Sequence, residues 1–407
     1  MRVKEKRDAL VQNEELCDHC LGRQFAKLGH GLENYERGAI AREIEELDED
    51  SFVRDRIPED AEIGGECEYC TGVFDELDEW TQMVLDAVER YEFSTFLIGV
   101  RPREEMLERE EDLWEEYGIE FTEPIKTELS RLIGKRIEAE LDVEVEFGRA
   151  DLNPVIDMEE EKIEMQVNSL LIYGQYNKYS REIPQTEWPC SNCRGSGCEE
   201  CDWTGKQYMT SVQEEIQEPF VRESKAVDAK FHGGGREDVD VRCLGRREFV
   251  LELMEPLNRD LDLEDLREEV NGSDKVEVFE LRYAEKDEVE EIKEKHADKT
   301  YRAEIETGEE IGESDLEKLK ELVGTVEQRT PQRVDHRRAD RVREREVYSV
   351  EWEKTGERRF EMEIEAEAGT YIKELIHGDE GRSDPSIAGI LGTGAECTVL
   401  DVVDIAK

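Results

Sequence analysis

Eight of the ten cysteines in this 407-residue chain fall in pairs separated by two residues: Cys17 with Cys20, Cys67 with Cys70, Cys190 with Cys193, and Cys198 with Cys201. A C-x-x-C turn lets two thiolates converge on one tetrahedral ion, and two such turns complete a Cys₄ structural zinc site. Only four residues part the pairs of CSNCRGSGCEEC, and Gly195 and Gly197 among them permit the sharp return that folds one knuckle onto the other. The first quartet, LCDHC and CEYC, is split by a longer insert that is also common in zinc modules. One or two structural zinc ions are therefore expected. Cys243 and Cys397 sit beside apolar residues and read as small buried hydrophobes.

A second chemical signal is FHGGGREDVDVRCLG, residues 231–245, where a glycine run precedes Arg236, Glu237, Asp238 and Asp240. Glycines before an acid let backbone approach a ligand closely. Taken alone, G-R-x-D fits a tight turn ending in a surface Asp equally well. A third signal is RTPQRVDHRRADRVREREV, residues 329–347, with seven arginines against four acids. Arginine forks grip phosphates bidentately and stack on bases. Arg333, Arg337, Arg338 and Arg341 are the RNA-contact candidates in it, and a helix face laced with Arg–acid pairs, which the REREV end allows, is the competing reading. Thr330-Pro331 breaks any continuous helix, so part of the island is expected as an arm or loop.

These groups need elements to hold them. Residues 1–80 are expected to form an N-terminal zinc-binding region around the helical text GLENYERGAIAREIEEL. From 81 to 185, TQMVLDAVERY and IKTELSRLIGKRIEAEL read as helices. FSTFLIGV, VEVEFGR and KIEMQVNSLLIYG read as strands, giving an α/β RNA-binding domain. Residues 186–207 are the second zinc knuckle. From 208 to 407, TSVQEEIQE, FVLELMEP and KVEVFELRYA alternate as strands. DLEDLREEV and SDLEKLKELV read as helices, the latter opened by a Ser314–Glu317 capping box. VYSVEWEKTGERRFEMEIEAEA reads as a hairpin turning near Gly356. The fold class expected is α+β, with a largely antiparallel mixed sheet in the last domain.

Composition sets the setting. The net charge is −52 with 40% charged residues, yet apolar residues make up 37% and recur in periodic runs, which favours an acid-coated globular protein over disorder. Such a coat suits molar salt, where repulsion is screened over about 3 Å. It would also repel nucleic acid, so an RNA binder must concentrate its cations locally. No apolar run reaches the length of a membrane span, and the N-terminal text lacks a signal-peptide core. A cytoplasmic protein is expected, with no membrane association and no obligatory protein partner.

The motifs in their order resemble the archaeal and eukaryotic family of THUMP-containing pseudouridine synthases that modifies positions 54 and 55 of tRNA. The resemblance runs through LCDHCLGRQF, CEYC, SLLIYGQYNKYSREIPQTEW, CSNCRGSGCEECDWTG, GREDVDVR, KTYRAEI, QRTPQRVDHRRAD and GTYIKELIHGDEGRSDPSI. It implies a tRNA substrate, a pseudouridine synthase fold preceded by a THUMP-type module, and no organic cofactor. It implies Asp238 as the catalytic aspartate, with Asp240 the rival in the same loop. It further implies Tyr301 stacked on the target base, Lys373 as basic partner of the Asp, Ile372 as one apolar wall and Leu391 as a second. Arg236 would fill the space of the extruded base or hold a phosphate. A non-catalytic tRNA-binding protein is the main competing reading, and a chaperone-type zinc repeat is a weaker one.

Overall fold

Apolar residues spaced by four place Leu129, Ile133 and Ile137 on one stripe of the helix Ile125–Glu140, and all three are at most 1% exposed. The same logic buries Trp80, Val84 and Val88 along Leu77–Val88. In a computed structural model of the chain, which describes residues 2–58, 67–335 and 339–406, both helices belong to the first of two compact units. That unit is Met1–Ser169 with Leu257–Arg259. Its sheet joins β1 (Thr95–Phe96), β2 (Gly99–Arg101), β3 (Glu144–Val145), β4 (Leu152–Asp157) and β5 (Lys162–Val167). β1 runs parallel to β3 and β4, β2 runs parallel to β4, and β5 closes an antiparallel hairpin on β4.

The expected boundary near residue 80 is not a break in packing. Cys20, Leu21, Phe25 and Ile40 share one continuous core with Val84, Leu129 and Ile133. The boundary placed at 185 also differs. SLLIYGQYNK forms a strand of the second unit, Leu170–Pro256 with Asp260–Lys407, so the chain divides at Ser169.

The second unit is built on β6 (Leu170–Lys178), β7 (Asp228–Gly233), β8 (Arg242–Met254), β9 (Val276–Tyr283), β10 (Lys299–Thr307), β11 (Gly324–Arg329), β12 (Val342–Lys354), β13 (Arg359–Ala366), β14 (Ser383–Asp384) and β15 (Ala395–Ile405). Their order is β14-β11-β12-β13-β10-β15-β8-β6-β9, with β7 also on β8. Every pairing is antiparallel except β15 with β8, where Asp401 meets Arg242 and Val402 meets Cys243. Asp401 staples that join by accepting from Arg181 and Arg242, each at 2.6 Å. A core around Ala303, Ile305, Met362 and Leu375 fills one half of the sheet, and one around Ile172, Phe249, Leu251 and Val278 fills the other.

Two local expectations are corrected. TSVQEEIQE is no strand: Val212–Ser224 is a helix capped by Ser211, whose hydroxyl accepts from the Glu214 N–H. Val212, Ile216 and Phe220 recur at four-residue spacing and are fully buried, a helical stripe that overrides the apparent alternation. Ser314 does not cap the helix Glu313–Leu316. It lies inside that helix, and the Asp315 carboxylate accepts instead from the Gly312 N–H at 3.0 Å.

Candidate active site

β7 and β8 are joined by the loop carrying Gly234 to Val241, and buried polar groups brace this loop from below. Lys178, fully buried at the end of β6, donates to the carbonyls of Asp238 at 3.0 Å and Val239 at 2.9 Å. Glu237, 7% exposed, turns inward. It meets Arg247 Nε at 2.9 Å and accepts from the Tyr176 hydroxyl at 3.2 Å. Arg247, 1% exposed, also donates to the Gly234 carbonyl at 2.9 Å. Gly235 has φ +90°, and a Cβ there would stand 2.8 Å from Arg247 Nη1. The close backbone approach expected of the glycines is therefore made by protein groups.

Because Glu237 points in, Asp238 points out. Its two oxygens are held separately, Oδ1 by Arg333 Nη1 at 3.2 Å and Oδ2 by Lys373 Nζ at 3.4 Å. Lys373 is thus a partner of the aspartate, but a shared one, since it lies 2.8 Å from both oxygens of Asp240. Burial works against the charge on Asp240, yet Lys373 holds that carboxyl below its usual range. Arg333 was expected on RNA through the basic island. It instead spans Asp238 and Glu374, whose Oε1 is 2.7 Å from its Nε.

Tyr301 comes from β10, where the strand period of two puts Lys299, Tyr301, Ala303 and Ile305 on one face. Burial pushes its phenol up to about 12. Lys299, two residues away, is driven down to about 8 by burial and then by the neighbouring Arg247. Sequence reading missed Lys299. Its position two before Tyr301 in a strand was the available signal.

These side chains line one cavity of about 850 Å³, within the usual range of small-ligand sites, roughly 300–1,000 Å³. Asp238, Arg236, Tyr301, Ile372, Lys373 and Arg333 all face it. Ile372, given as an apolar wall by the resemblance, is on the lining, and Leu400 and Val402 of β15 are among its other apolar residues. Leu391 is not among the lining residues and packs, half-buried, against the core around Ala303. Arg236 stacks over Trp188 at 4.8 Å, just before the second Cys quartet. Arg341 is exposed and away from the cavity, while Arg337 and Arg338 lie outside the described residues.

Removing the buried cation below the loop should be costly. Arg247→Met strands the Glu237 carboxylate, with Lys178 still 4.0 Å away, and a broken buried pair costs about 3–5 kcal/mol. Chemical denaturation at constant salt should show that loss as a lower midpoint.

Each Cys quartet closes. The ligand atoms of Cys17, Cys20, Cys67 and Cys70 lie within 4.8 Å of one another, as do those of Cys190, Cys193, Cys198 and Cys201. The fold itself sets sulfur separations of 3.7 Å for Cys17–Cys70, 3.9 Å for Cys190–Cys198 and 3.8 Å for Cys193–Cys201. A tetrahedron with metal–sulfur bonds of about 2.3 Å has an edge of about 3.8 Å. Donors complete the setting: Arg23 Nη2 to Cys20 Sγ at 3.4 Å, and the Gly197 and Gly205 N–H groups to Cys193 and Cys201 at 3.2 and 3.3 Å. Both quartets fit a tetrahedral thiolate-bound ion.

Residues 171–406 match the family model described as "Pus10, C-terminal", and residues 80–157 match "Pus10 THUMP domain, archaeal". A protein of Halorubrum lacusprofundi named tRNA pseudouridine synthase Pus10 is 44% identical over 96% of this chain and 93% of its own. One of the same name from Methanothermobacter marburgensis is 41% identical over the full length of both. Among solved structures, a chain titled "Crystal Structure of a Cbf5-Nop10-Gar1 Complex" is 22% identical, covering 47% of this chain and 44% of that one, with a TM-score of 0.29.

Proposed function

Because the chain belongs to the Pus10 family of pseudouridine synthases, enzymes that isomerise uridine to pseudouridine, we propose that it acts on tRNA at positions 54 and 55 of the TΨC arm and that Asp238 starts the reaction. The observation that carries this reading is the placement of the Asp238 carboxylate, held from two sides by Arg333 and Lys373 in a cavity shared with Tyr301.

The reaction breaks the bond from C1′ to N1 of uracil and forms one from C1′ to C5. The C5 proton leaves, N1 gains a proton, and no electrons are exchanged overall. Both C1′ and C5 are hidden in stacked RNA, so the nucleotide must be extruded into the cavity. The Asp238 carboxylate then serves C1′ as nucleophile or takes a sugar proton; both routes begin from the same placement. Tyr301 offers its ring to the freed uracil, a contact worth about 1–3 kcal/mol. With its phenol raised to about 12, it enters the reaction protonated, suited to donate to or orient the base. Ile372, Leu400 and Val402 exclude water from one side.

Tyr301→Phe should keep the stack and lose the hydroxyl. Its kcat is expected to fall by about 10²-fold or more, with KM little changed. Tyr301→Ala should raise KM as well. An unchanged kcat for Tyr301→Phe, measured by tritium release from C5-labelled uridine in tRNA, would confine the tyrosine to stacking.

The Cys quartets are read as structural zinc sites, and the THUMP-containing unit as the part that holds the tRNA away from the modified arm. We place the enzyme in the cytoplasm; among the described residues no helix is long and apolar enough to cross a membrane. The test of position is to incubate unmodified tRNA with the protein at high salt and map pseudouridines by carbodiimide-dependent reverse-transcription stops. Stops at 54 and 55 are expected. Stops confined to another arm would overturn the assignment.

A further inference from the structure

The cavity is an electrostatic exception in this molecule. The chain carries a net charge of −52, yet seven lysines and arginines line the cavity against three carboxylates. Most of those cations are committed. Arg247 answers Glu237, while Arg333 and Lys373 answer Asp238, Asp240 and Glu374. Arg236 lies on Trp188, and half-buried Lys299 donates to the Ala297 carbonyl at 2.6 Å. The remaining two, Lys293 and Lys295, answer no acid of the cavity lining; both are exposed and stand beside exposed His296.

On the reading that this cavity receives the extruded uridine, we propose that Lys293 and Lys295, with His296, grip the RNA phosphodiesters that flank that nucleotide. A nucleotide leaving its stack carries a phosphate on each side to the mouth of the site, so two cations at the cavity match what it presents. Lys293 sits in the last turn of the helix Lys286–Glu294 and has no ion-pair partner among the described residues. Lys295 meets Glu248 at 2.7 Å, with 39% and 25% of the two side chains exposed. Such a surface pair is weak and yields readily to phosphate. The segment is firmly mounted, because Ile292, 5% exposed, packs with Leu171 and Val250. The basic island fits this task less well. Among its described arginines, Arg329 is bound to Asp340, Arg345 lies 3.3 Å from Glu367 and Arg333 belongs to Asp238 and Glu374, while Arg341 and Arg343 are not on the cavity lining.

The test is the double variant Lys293→Glu/Lys295→Glu in the full chain, assayed on unmodified tRNA transcript across a range of salt. KM should rise at least about tenfold with kcat preserved, and the slope of log KM against log salt should flatten by roughly one per lysine. The charge-keeping variant Lys293→Arg/Lys295→Arg should stay near wild type. Unchanged KM and slope would overturn the proposal, and so would a loss of kcat at unchanged KM, which would make the segment a support for the loop. RNA retention on filters, measured with the same double variant in an Asp238→Ala background, reads binding without turnover. The reading of the cavity itself is judged separately: pseudouridine formation by Asp238→Ala would sink it whatever the lysines do.

Discussion

Asp238→Ala is expected to lower pseudouridine formation by roughly 10⁴-fold or more, the scale seen when a nucleophile is removed from a catalytic set. RNA binding should stay close to wild type, since the change removes no cation from the cavity lining. The side chain is not needed to build the loop. Lys178 holds that segment through backbone carbonyls, and Glu237 and Arg247 hold it from inside, so the variant should fold normally. The control is Asp240→Ala. Asp240 has the closer contact with Lys373, 2.8 Å against 3.4 Å, and proximity alone would make it the rival. Only Asp238 also engages Arg333. Asp240→Ala is therefore expected to retain turnover within about tenfold of wild type. A normal rate for Asp238→Ala, or a collapse confined to Asp240→Ala, would reverse the assignment.

The largest effect on stability is expected at the first Cys quartet. Its four cysteines are buried, Cys20 at 0% exposure, and belong to the core that also holds Phe25, Ile40, Val84 and Leu129. Binding of a structural zinc contributes about 10–16 kcal/mol in small modules, as much as the whole stability of a typical domain, about 5–15 kcal/mol. Cys20→Ala should thus remove one metal equivalent and abolish the cooperative melting of the first unit. Cys193→Ala strikes the half-exposed second quartet and should remove one equivalent with a milder loss, sensed at the nearby Arg236–Trp188 stack. Metal analysis with calorimetry at high salt checks both. Wild-type protein purified without metal and melting as before would refute the zinc reading of both quartets.

What could be read in advance was whatever depends on neighbours in sequence. The C-x-x-C turns, the glycine run before Asp238 and the strand hairpin near Gly356 are local devices. Each was legible because its geometry is set within a few residues. The partners of Asp238 were legible only in part. Lys373 came from a motif, but Arg333 stands 95 residues away from Asp238 and its duty depends on where β11 ends and how the island folds back. Leu391 failed for a related reason. A short apolar text names a hydrophobic residue without fixing which of two surfaces it faces, and the cavity wall went to Leu400 and Val402 of β15. In Val212–Ser224 the text TSVQEEIQE alternates by itself, and the helical stripe is complete only with Phe220, beyond Pro219, a residue that ordinarily breaks a helix. The inward turn of Glu237 had no sequence signature, since burying a carboxylate requires Arg247 and Lys178 to be delivered by two other strands.

The position of β15 has a consequence for how the enzyme comes into being. This strand lies between β10 and β8, so the two halves of the second sheet touch through it. During synthesis Leu170–Met254 and Lys299–Ala366 emerge well before Ala395–Ile405, and until then the free side of β10, and that of β8 at Arg242 and Cys243 beyond its pairing with β7, have no strand beside them. Long-range pairing of this kind is slow and leaves open strand edges prone to misassociation. Leu400 and Val402 also arrive only at that moment, so the wall of the cavity closes last. A nascent chain can therefore carry Asp238, Tyr301 and Arg333 while still lacking a pocket to use them in, and activity should switch on abruptly when the final strand inserts.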